Sequence, residues 1–113
     1  MNAAPLVDRV KLRYLEGEVV PDDAVIIEML QTVIDRLTIR LEMMEPPATA
    51  GSIVIDAAMK ALRLRGYEGS TSESAADGGS VSNSFIDDIL SAYSEDIAAL
   101  KRSMRKGGIK FLG

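Results

Sequence analysis

The strongest constraint on the fold is the stretch Ile53 to Arg65. Ile53, Val54, Ile55, Ala57, Ala58, Met59, Ala61, Leu62 and Leu64 place apolar residues almost all round a helix there. A helix with no polar face belongs in the middle of a bundle, because only other helices can cover every side of it. Ser52 is the expected N-cap, and Asp56 lies near the start, where the helix dipole favours an acid. Arg63 and Arg65 occupy the last turn, and Gly66 stands where a left-handed C-cap is wanted. Helix three is therefore expected over 53–65.

A long segment of small residues follows. Gly66 to Ser84 holds four glycines and six serines, and such a composition buries too little apolar surface to offset its own ordering entropy. A connection of that length in a small domain is functional or disordered. Tyr67, Glu68, Val81 and Phe85 are spaced along the expected loop, 66–85, as anchors for contact with a neighbouring subunit.

The remaining elements are also helical. Pro5 opens a first helix, about 5–16, with Leu6, Val7, Val10 and Tyr14 at helical spacing before Gly17. Pro21, Asp22 and Asp23 begin a second, about 22–44, striped by Ile26, Leu30, Val33, Leu37, Leu41 and Met44 and stopped by Pro46-Pro47. Val25, Met29 and Ile34 lie off that stripe and suggest a second buried face against a neighbouring chain. Asp87 and Asp88 begin a fourth helix, about 87–106, with Ile86, Leu90, Tyr93, Ile97, Leu100 and Met104 on one side. Gly107-Gly108 is expected to end it and to free an extended tail, 107–113. The expectation is one all-α domain over 1–113: four helices, a long Gly/Ser-rich loop between helices three and four, and an extended C-terminus.

Several of these residues, in order, resemble one family. They are Ile53-Val54-Ile55-Asp56-Ala57-Ala58, Gly66-Tyr67-Glu68-Gly69, Thr71-Ser72-Glu73-Ser74, Val81-Ser82-Asn83-Ser84-Phe85 and Asp88-Ile89-Leu90. Together they resemble the head-to-tail connector (adaptor) proteins of long-tailed bacteriophages, over roughly residues 52–106. The chain departs from the family in having Leu62-Arg63-Leu64 where an aromatic-Asn-Arg run is common, and in a longer Ala75–Gly79 insert. The resemblance implies a ring of about a dozen copies beneath the portal, joining the head to the tail and continuing the channel for DNA. It implies as partners the portal protein and the next tail-side connector or tail-terminator protein, and a virion location after assembly in the host cytoplasm.

Composition agrees with a protein partner. Hydrophobic content of 47% is high for a small chain rich in loops, so part of the apolar surface is expected to meet another subunit. The net charge of −4 disfavours a duplex-binding face, which needs clustered Lys and Arg, but suits a channel wall that repels phosphate. The charge is uneven: Lys101, Arg102, Arg105, Lys106 and Lys110 have no acid among them. That end suits an acidic partner, and Ile109, Lys110, Phe111 and Leu112 form the expected anchor on the portal or a neighbouring subunit by strand-like pairing. The same basic end supports an alternative, a small helical nucleic-acid-binding regulator.

The chain has no cysteine and no histidine, which excludes disulfides, thiolate chemistry and histidine acid–base or metal sites. The pairs Asp22/Asp23, Asp87/Asp88 and Glu95/Asp96 read as helix-start charges, since adjacent helical residues do not face one another. No cofactor, membrane contact or enzymatic role is expected. No apolar run reaches membrane-spanning length and the N-terminus lacks a leader pattern, so a cytosol-like setting is expected during synthesis.

Overall fold

The computed structural model describes residues 1–42, 45–68 and 83–112, with backbone alone for 65–68 and 105–112. Its described residues are all-helical: α1 Val7–Leu12, α2 Asp23–Leu41, α3 Gly51–Glu68, α4 Asn83–Ser91 and α5 Ser94–Leu112, with 3-10 turns at Ala4–Leu6 and Ala48–Ala50. The pair α2 and α3 forms the centre. Helices α1 and α4 each pack on both, and α5 packs on α2.

Helix α3 contributes more buried apolar residues than any other, from Ile53 to Leu62, as the sequence requires. It is not apolar all round, however. Ser52, Lys60 and Arg63 are exposed and Asp56 half-buried. Their spacing of four, four and three makes one narrow polar stripe. Its ends also differ from expectation. The helix begins at Gly51, continuous with the turn Ala48–Ala50, so Ser52 lies inside the first turn. It passes through Gly66 to Glu68; a glycine inside a helix costs only about 1 kcal/mol, less than packing over so long an element supplies.

Helix α2 spans 19 residues, roughly 28 Å at 1.5 Å per residue. The carbonyl of Asp22 accepts the first ladder bonds from Val25 and Ile26 at 3.0 and 3.1 Å. The helix stops before Pro46-Pro47: Glu42 adopts a left-handed conformation, φ 56°, and its N–H returns to the carbonyls of Thr38 and Ile39. Met44 lies outside the described residues. Met29 and Ile34 are buried inside this chain and Val25 packs against the same core, so the second face of α2 is covered by the chain's own helices rather than by a neighbour.

The expected single C-terminal helix is two helices. Asn83 starts α4, and a turn at Ala92-Tyr93 breaks it from α5, with the N–H groups of both turn residues bonded back to Ile89 and Leu90. Asp87 thus lies in the second turn of α4, and its task is a clamp. It accepts from Arg36 at two atoms, 3.1 and 2.8 Å, while Arg40 donates to its carbonyl at 2.9 Å. These bonds fasten α4 to α2. Helix α5 then continues through Gly107-Gly108 to Leu112, which replaces the expected extended tail: glycine permits other conformations without forbidding the helical one. The first helix is short, because the chain leaves α1 after Leu12 instead of reaching residue 16.

Candidate interaction surfaces

The connection from α1 to α2 exposes apolar side chains where the rest of the fold covers them. Leu12, Leu15 and Val19 are 84%, 72% and 90% exposed, and Val20 and, in the second turn of α2, Ile27 are exposed as well. The corner is nonetheless tightly built. Gly17 has φ 91°, a conformation open to glycine without strain, and it turns the chain so that the Glu18 N–H reaches the Leu15 carbonyl at 3.0 Å. The Glu18 carboxylate accepts from the Leu15 N–H at 2.6 Å and from Arg63 of α3 at 2.6 and 3.2 Å. Those bonds hold the Glu18 carboxyl below its usual range, the Arg63 bond being the larger cause. A hydrogen-bonded turn thus carries Leu15, Val19 and Val20, with Leu12 at the end of α1 before it.

A groove of about 510 Å³ lies beside the corner, lined by Arg13, Asp56, Met59, Lys60, Arg63 and Tyr93. It is where the polar stripe of α3 faces α1 and the start of α5. Arg13 pairs with Asp56, the Lys60 ammonium lies 4.7 Å from the centre of the Tyr93 ring, and the Arg63 guanidinium 5.1 Å from that of Tyr14. Burial raises the Tyr14 hydroxyl pKa, and the bond to Tyr93 raises that of Lys60. These contacts tie three helices together through side chains whose charges are met within the chain. Among the described residues, no cluster of three or more acidic side chains is placed to hold a metal ion, and no helix is long and apolar enough to cross a membrane.

Of the expected subunit-contact residues, Phe85 lies in the first turn of α4, half-buried against the core. Tyr67 and Glu68 form the end of α3 rather than a loop, and Val81 lies outside the described residues. The expected anchor Ile109, Lys110, Phe111 and Leu112 is the last turn of α5. Upstream, Lys101 pairs with Glu42 at 2.8 Å, which fixes α5 against the C-terminal end of α2. The exposed corner was missed in the sequence because Leu12 and Leu15 fall inside the expected helix 5–16 and Val19 in the short connection after it, where one apolar residue makes no pattern. Gly17 and Pro21, which bracket Val19, were the signal that the chain turns there.

No family model, curated protein or solved structure matches the chain.

Proposed function

We propose that this protein is a structural subunit of a phage virion, a head-to-tail connector that assembles into a ring between the portal of the head and the tail. The observation that carries this reading furthest is the α1–α2 corner: Leu15 and Val19 stand exposed on a turn braced by Glu18 and Arg63, with Leu12 exposed at the end of α1 just before it. Large apolar side chains exposed together on a hydrogen-bonded turn of a small helical domain suit a surface for another protein. The motif order over residues 52–90 supplies the identity of the assembly by resemblance, and the acidic balance of the chain suits a wall along which DNA slides without being held.

In this role the protein is non-catalytic. Copies contact one another around a ring of about a dozen, the portal on one side, and the next connector or the tail terminator on the other. Assembly takes place in the host cytoplasm and the product resides at the head–tail junction.

Negative-stain imaging of the purified protein, with and without portal-bearing heads, tests the proposal. Closed rings, or density added at the portal vertex, are expected. Monomers that bind DNA in a salt-dependent way and never decorate heads would overturn it in favour of the nucleic-acid-binding regulator, for which the basic run on α5 is the supporting feature.

A further inference from the structure

We infer that the α1–α2 corner of one copy receives the basic C-terminal helix α5 of a second copy, a head-to-tail contact made of an acidic, apolar surface and a cationic helix. The inference deepens the ring reading and rests on it only for closure. From Leu12 to Asp35 the chain holds six acids and one base, Arg13; from Ile97 onward it holds five bases and no acid. At the corner and in the first two turns of α2, Glu16, Asp22 and Glu28 are exposed and form no ion pair among the described residues, beside Leu15, Val19 and Ile27 in the same stretch. Two surfaces of opposite charge on one chain attract either within that chain or between copies.

The fold decides between these. Lys101 pairs with Glu42, the residue that caps the C-terminal end of α2. The corner leads into Asp23 at the other end, and Glu28 lies in the second turn of α2. The two surfaces are therefore separated by most of the length of α2, which is roughly 28 Å at 1.5 Å per residue, and α5 continues from Arg102 to Leu112 past the pair with Glu42. Each copy thus presents one donor and one acceptor in different places. Such a heterologous contact repeats, and it closes into a ring when the rotation between copies allows.

A charge exchange in the full-length protein tests this, read by sedimentation velocity at about 0.15 M salt, where exposed charges still act within roughly 8 Å. One variant carries Glu16→Lys and Glu28→Lys, a second carries Arg102→Glu and Lys106→Glu. Each alone is expected to raise the dissociation constant of self-association by ~100-fold or more, because like charges then face each other. An equal mixture restores wild-type assembly, since each variant's altered surface matches the other's, and circular dichroism reads the same helix content throughout. Restoration also shows that both variants are folded. Wild-type assembly that neither reversal weakens, or weakening that the mixture fails to reverse, overturns the inference and leaves the ring reading standing. Restored assembly that forms dimers or open chains supports the inference and overturns the ring. A wild-type protein that stays monomeric overturns both.

Discussion

The Glu18 carboxylate bridges two parts of the chain that sequence order keeps apart, accepting from Arg63 on α3 at 2.6 and 3.2 Å and from the Leu15 N–H at 2.6 Å. One side chain therefore both shapes the α1–α2 turn and attaches it to the central helix. Glu18→Gln keeps the size but weakens both interactions, as a neutral acceptor bonds less strongly than a charged one. Hydrogen exchange at Leu15 and Glu18 is expected to accelerate while the exchange of α2 and α3 core amides stays as in wild type. Unchanged protection at Leu15 would show that the turn holds itself without the carboxylate.

Gly17 is the backbone counterpart of that brace. Its φ of 91° is unfavourable for any residue with a Cβ, yet no atom beyond its two chain neighbours lies within 4 Å of where that Cβ would stand. Gly17→Ala is expected to cost about 1 kcal/mol from the conformation alone. Urea denaturation measures it, and a stability equal to wild type would mean that the turn relaxes to another conformation.

Ala58 is fully buried in α3. Ala58→Asp places a carboxylate among the aliphatic side chains of the core, where no charge or donor among the described residues is positioned to meet it, and should destabilise the domain by about 3 kcal/mol or more. Thermal unfolding followed by circular dichroism reads the loss. A melting temperature near that of wild type would remove α3 from the centre of the fold.

The clamp between α2 and α4 gives a pH dependence. Arg36, acting first through its hydrogen bonds and then through its charge, holds the Asp87 carboxyl below its ordinary value of 3.8. A carboxyl depressed in the folded state binds its proton more readily when unfolded, so its stabilisation is complete above the ordinary value and is lost as pH falls through the folded one. Stability is expected to fall on acidification below about pH 4, and Asp87→Asn to remove that part of the fall while costing about 1–3 kcal/mol at neutral pH. Identical acid transitions in the two proteins would show that Asp87 is not a source of it.

Removing residues 108–113 takes the last turn from α5 and leaves the core residues Ile97 and Leu90 in place. The truncated protein is expected to keep its melting temperature and to lose attachment to portal-bearing heads, as measured by co-sedimentation. Attachment at unchanged affinity would show that the end of α5 is not the anchor.

Periodicity and composition determined the helical class and the central place of α3, because apolar residues every three to four positions have one low-energy arrangement, a helix turned toward a core. They determined as well where Pro5 and Pro21 stand at element starts, since a fixed φ and a missing donor act locally. The tertiary structure decided what depends on neighbours. Gly66 and Gly107-Gly108 were passed over because a local preference near 1 kcal/mol is small beside the cooperativity of a long helix. Met29 and Ile34 point into this chain rather than a neighbour, since spacing shows that a face is apolar and leaves open what covers it. Asp87 became a clamp and Glu18 a brace only when distant arginines arrived beside them, and Leu12, Leu15 and Val19 became a surface only when the chain turned away at Gly17. Those outcomes follow from contacts between residues far apart in sequence, which no local pattern encodes.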